Sequence, residues 1–107
     1  MIQLWCACKA DAAGNLLASE NVLSVARTAQ GVYVVTMANA MGELECSPVA
    51  VPWYVENAVP PQAFPLMRFL SGLDAAAPDT IIVRGFSPAL LPVDGPFSMI
   101  VWRILNG

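Results

Sequence analysis

The sequence contains no histidine, and charged residues make up only 12 % of its 107 positions. Without histidine there is no Ser–His or Cys–His nucleophile pair, and the commonest general base near neutral pH is missing. The chain therefore reads as a protein that is not an enzyme. With 5 Lys plus Arg against 8 Asp plus Glu, it has no basic surface for a phosphate backbone, which argues against a nucleic-acid partner. Its 7 glycines are dispersed as single turn markers, so there is no phosphate-cradling loop. The most apolar stretches, Ala50 to Val59, Ile81 to Val93 and Phe97 to Leu105, are broken by proline, glycine or a charge. Each break comes well short of the roughly 18 residues of a membrane span, so no membrane partner is expected. Met1 runs straight into IQLWCACKA, with no basic segment, apolar segment and cleavage site of a secretory signal, so synthesis in the cytoplasm is expected. No segment of ten or more residues has the 3.6-residue spacing of an amphipathic helix.

What the sequence has in excess is apolar residues, 57 % of the chain, against roughly 45–50 % in ordinary soluble domains. A mass of 11.4 kDa suits one domain spanning residues 1–107. With so few charges to cover its outside, such a domain hides apolar surface against copies of itself or a larger partner. The 3 cysteines are an odd number, so at least one has no partner within the chain. Cys6 and Cys8 lie two apart on a strand and share a face. A metal site needs two more ligands of that kind, and Cys46 is the only other thiol. All three read as small buried packing residues, with no metal and no cofactor.

Apolar and polar residues alternate in short runs bounded by turn residues, the pattern of an all-β chain. Ile2, Leu4, Cys6, Cys8 and Ala10 alternate with Gln3, Trp5, Ala7 and Lys9 in a two-faced first strand, closed by a turn at Asp11 to Asn15. Leu16 to Ser19 reads as its partner. Val22 to Thr28 and Val32 to Ala38 form a hairpin around Ala29, Gln30 and Gly31, where glycine supplies a positive φ. Leu44 to Val55 is strand-like, and Pro48 and Pro52, which lack an N–H, demote it to an edge or bulged strand. Pro60, Pro61 and Pro65 mark a loop. Pro65 to Leu70 and Thr80 to Phe86 read as short strands joined through Gly72 to Asp79, with a helical turn at Ala75 to Ala77. Ser87 to Pro96 reads as an ordered loop and Phe97 to Leu105 as an apolar closing strand. Strands at this spacing predict a jelly-roll-like β-sandwich or a related barrel. Val32 to Met37 and Met99 to Leu105 are apolar on both faces and need a second covering, which other subunits supply most economically.

Glu43 and Glu45, two apart on a strand, are a carboxylate pair of the kind that shares a proton or binds a hard cation, but they read better as a solvated face. Trp5, Trp53 and Trp102 offer large rigid area suited to packing or an interface more than to stacking a sugar. With Tyr33, Tyr54, Phe97 and Met99 they form the candidate interface set.

Two segments resemble a known pattern. Val22 to Met41, VLSVARTAQGVYVVTMANAM, is similar to a hairpin that recurs in bacteriophage tail-fibre and related virion domains: Ser-Val-x-Arg-Thr, a glycine turn, then Gly-x-Tyr-x-Val-Thr and a Met. Val93 to Ile104, VDGPFSMIVWRI, resembles the closing element of such domains, and the two together span about a third of the chain. The resemblance implies a small trimeric β-sandwich of a phage particle. The expected function is a capsid decoration protein, a homotrimer in the virion bound to the major capsid protein. The alternative is a tail-fibre module that recognises a host-surface glycan. The chain enters a strand directly at Met1, without the docking segment and shaft of a fibre protein, and this favours decoration. A signalling domain of the C1q type is a third reading, against which the unpaired thiols and missing signal count.

If the cysteines are packing residues, EDTA should leave the melting temperature unchanged, the purified protein should carry no stoichiometric zinc, and Cys46→Ala should alter stability alone. Unfolding on chelation would reverse the assignment.

Overall fold

The computed structural model describes residues 1–42, 44–62 and 66–105. Its strands, in chain order, are β1 (Ile2–Ala10), β2 (Leu16–Glu20), β3 (Val22–Ala29), β4 (Val32–Met37), β5 (Cys46–Pro52), β6 (Arg68–Asp74), β7 (Ala77–Phe86) and β8 (Phe97–Ile104). They form two antiparallel sheets of four strands, ordered β2-β1-β8-β5 and β3-β4-β7-β6, with no helix among the described residues.

The two sheets pack face to face in the manner of a β-sandwich, and the period of two along each strand decides what meets between them. Cys6, Cys8 and Ala10 of β1 and Phe97, Met99 and Val101 of β8 point inward from one sheet. Tyr33, Val35 and Met37 of β4 with Ile81 and Val83 of β7 point inward from the other. Phe97 is the centre of an aromatic trio, its ring centroid 5.1 Å from Tyr33 and 5.5 Å from Phe69, both tilted as ring quadrupoles favour. Burying each large side chain of this set contributes about 1.5–3 kcal/mol.

At one end of the sandwich the side chain of Tyr33 ties two loops together. Its hydroxyl donates to the carbonyl of Ala12 in the β1–β2 turn (2.7 Å) and accepts from the N–H of Gly95 ahead of β8 (3.1 Å). Beside it, Asp94 accepts from the Gly31 N–H (2.7 Å) and pairs with the Arg27 guanidinium (2.9 Å). Gly31 sits at φ 70°, and a Cβ there would lie 2.8 Å from the Gly85 carbonyl and 2.9 Å from the Val93 nitrogen. Only glycine fits that approach. The hairpin turn is thus welded to both β7 and the loop before β8.

Three local expectations are corrected. The first strand does not keep one face throughout: β1 is bulged between Leu4 and Cys6, so Ile2 and Leu4 face outward while Cys6, Cys8 and Ala10 face the core. One extra residue inverts the alternation. The strand expected at Pro65 to Leu70 runs instead from Arg68 to Asp74, with Pro65 outside the described residues. There is also no helical turn at Ala75 to Ala77. Ala75 and Ala76 form a tight hairpin turn in which Asp74 Oδ1 accepts from the Ala76 N–H (2.9 Å), and Ala77 already belongs to β7. Gly72 is tolerated mid-strand because it faces outward into open space opposite Ile82. Pro48 and Pro52 do lie on an edge strand, β5.

Tyr33→Phe strands the Gly95 N–H and the Ala12 carbonyl and is expected to cost about 1–3 kcal/mol in denaturant unfolding. The hydrogen bonds from Arg27 and then Gly31 hold the Asp94 carboxyl below its ordinary range. A carboxylate lowered in the native state adds stability above that range and loses it as pH falls through the native value. Thermal melts from about pH 5 to pH 2 should therefore show a shallower acid limb for Asp94→Asn than for the parent protein.

Candidate association face

β8 lies between β1 and β5, and the residues alternating with its core side chains, Ile100, Trp102 and Ile104, point away from the core. The register places Leu4 and Ser47 beside Trp102, Ala7 and Val49 beside Ile100, and Ile2 beside Ile104. The bulge in β1 is what brings Ile2 and Leu4 onto this outer face. Ile2, Leu4, Val49, Val51, Ile100, Trp102 and Ile104 are all between 39 % and 68 % exposed, forming one contiguous apolar patch. A shallow depression of about 360 Å³ opens among Ile2, Ser47, Trp102 and Ile104. Charge enters only toward β2, with Lys9, whose ammonium sits 4.0 Å above the Trp53 ring, and Glu20. The chain exposes 6,398 Å², above the about 5,800 Å² of a monomeric protein of its mass. Single exposed apolar residues are ordinary, but a continuous sheet face of them marks a contact surface.

The edges of both sheets are closed to strand addition. β5 carries Pro48 and Pro52, and β2 is only 5 residues long and ends in Glu20. β3 is bulged at both ends, at Leu23 and at Thr28, and β6 is irregular at Leu73/Asp74 and bounded by Arg68 and Asp74. These are the devices by which sheet proteins prevent open-ended pairing. The faces, not the edges, are what the sheets leave open.

The seven candidate interface residues separate into four groups. Tyr33, Phe97 and Met99 are fully buried within the chain and have no surface to offer a partner, which corrects their assignment to an interface. Their side chains are inward on β4 and β8, a register that composition does not reveal. Trp5 and Trp53 are half-buried with their indole N–H groups already used. Trp5 donates to the Asn39 carbonyl (3.3 Å) under the Arg103 guanidinium, and Trp53 donates to the carbonyls of Ala10 (3.1 Å) and Phe97 (3.2 Å). Tyr54 is exposed on the loop after β5, donating to Glu56 (2.5 Å). Only Trp102 stands in the apolar patch. Ile2, Leu4, Val49, Val51, Ile100 and Ile104 were missed, because their common face appears only once β1, β8 and β5 are known to be neighbours.

The thiols are chemically quiet. Burial first, and then the proximity of Cys8 and Cys46, pushes Cys6 up to about 12, and burial pushes Cys8 up to about 11. Both remain protonated near neutral pH and are poor nucleophiles. Among the described residues no group of three or more His, Cys, Asp or Glu is placed to hold a metal ion. Glu45 bonds Arg103 Nε (2.8 Å) ahead of β5, and its expected companion Glu43 lies outside the described residues.

Ile100 and Trp102 both point away from the core, so the fold should persist when they are replaced together by Ser. The molar mass by sedimentation should fall relative to the parent protein, and an unchanged mass would show that the patch holds no subunits together. No protein-family model, curated protein or solved structure matches the chain.

Proposed function

We propose that the protein is a structural component of a bacteriophage particle, a capsid decoration protein that assembles as a homotrimer and adds contacts between major capsid subunits in the virion. The observation that carries this reading is the uncharged apolar face of β1, β8 and β5, presented by a chain whose sheet edges are all closed. A second strip, Ala26, Val34 and Ile82 in register across the other sheet, gives each protomer two different surfaces to offer. Two unlike surfaces allow a head-to-tail contact, which gives a ring where its rotation closes, whereas a face-to-face dimer uses only one of them. The nested pairing of β1 with β8 and of β4 with β7 is that of a long antiparallel strip wrapped round a core, and we read it as a compact jelly roll.

The phage assignment rests on the resemblance of residues 22–41 and 93–104. Those segments meet in the fold, where Arg27, Gly31 and Tyr33 from one bond Asp94 and Gly95 from the other. The glycan-binding alternative has less to work with, because the Trp53 indole is committed to the fold and carries the Lys9 ammonium on its ring.

Light scattering should give three times the 11.4 kDa chain mass at micromolar concentration. Particles lacking the protein should release their genome at lower temperature, adding it back should restore resistance, and the binding should survive high salt because few charges contribute. A stable monomer, or normal particle stability with lost host adsorption, would overturn the reading.

A further inference from the structure

The loop from Ser87 to Pro96 presents two leucines to solvent at its tip. Leu90 is 69 % exposed and Leu91 63 % exposed. The tip is rigid: Leu90 N–H donates to the Ser87 carbonyl (2.9 Å), Ser87 N–H to the Leu91 carbonyl (2.9 Å) and Leu91 N–H to Ser87 Oγ (3.3 Å). Behind it, Val93 N–H bonds the Gly85 carbonyl, and Asp94 and Gly95 join the Tyr33 corner. Leu90 also holds φ at 64°, in the left-handed region, where a leucine is strained and a glycine or asparagine is not. An exposed position with that backbone suits a polar or small residue on every count of stability. Strain of this kind, held by a well-bonded surround, concentrates where a side chain is presented for binding.

Beside the tip is a hollow of about 320 Å³ lined by Leu66, Met67, Arg68 and Pro88. Arg68 is exposed and makes no ion pair among the described residues. Tip and hollow together form an apolar knob next to a socket of mixed lining, with Leu66, Met67 and Pro88 as its apolar wall and Arg68 as its cation.

We propose that Leu90 and Leu91, with this socket, are the docking surface for a protein partner that offers an apolar cleft bordered by a carboxylate to meet Arg68. On the decoration reading, on which this inference rests, that partner is the shell. A lipid surface fits poorly, since the chain carries a net charge of −3. The preformed tip also lowers the ordering cost of docking.

The test compares the unsubstituted protein with Leu90→Asn/Leu91→Ser and with Arg68→Glu, using particles assembled without the protein. Asparagine accepts the left-handed conformation, so the double variant should fold with an unchanged or higher melting temperature and the same solution mass. Its affinity for particles should fall about tenfold or more, and Arg68→Glu should weaken binding as well. Equal binding by the double variant overturns this surface alone. A changed solution mass overturns it in favour of a contact between copies. Binding of the unsubstituted protein to phosphatidylglycerol vesicles that the double variant loses overturns it in favour of lipid. Failure of the unsubstituted protein to bind particles overturns the decoration reading, and this surface with it.

Discussion

Strand β8 has a neighbour on each edge and apolar side chains on both faces, and a strand so placed can keep only one face dry within a single chain. Phe97, Met99 and Val101 use the inner face to meet the opposing sheet, and Ile100, Trp102 and Ile104 are left outside. No helix or loop crosses to cover them among the described residues. β1 reinforces the imbalance, because its bulge beyond Leu4 turns two more aliphatic residues to the same side. Part of the apolar excess of the composition thus has a definite address on β1, β8 and β5, on the side of the sheet away from the core.

The hydrogen-bonded corner around Tyr33 explains how so small a core holds its register. A phenol buried against Phe97 must satisfy its hydroxyl, and it does so by accepting from one loop and donating to another. Asp94 adds a charge-assisted bond to the Gly31 N–H, which counts for more than its half-exposed pair with Arg27, since exposed ion pairs contribute little. The turn after β1, the β3–β4 turn and the loop before β8 therefore stand or fall together. The same corner is the rigid base that supports the strained leucine tip, so packing inside the sandwich sets the shape of the surface outside it.

Much of the architecture was legible in the sequence because strand pattern and turn chemistry agree. The hairpin at Gly31, the edge character of the Pro48 and Pro52 strand, and the closing strand at Phe97 each follow from a local rule, and each is present. What local rules do not supply is register. Nothing in IQLWCAC announces that Trp5 is an extra residue, yet that bulge decides whether Ile2 and Leu4 belong to the core or to the surface. Tyr33, Phe97 and Met99 read as interface side chains for the same reason, since a strand apolar on both faces does not say which face is inward. The positive φ of Leu90 was equally hidden, because leucine is not a residue that sequence patterns place in the left-handed region.

The central claim is that the outer face of β1, β8 and β5 is covered by other copies of the chain in solution, and hydroxyl-radical footprinting tests it at the level of single residues. Labelling of Leu4 and Trp102 can be compared with that of Leu23, which lies on the β3 edge outside the patch. At micromolar concentration Leu4 and Trp102 should be protected relative to Leu23, and the protection should disappear on dilution to the point where the assembly dissociates. Labelling of Trp102 and Leu4 in proportion to their exposure in the single chain, at every concentration, would contradict the account.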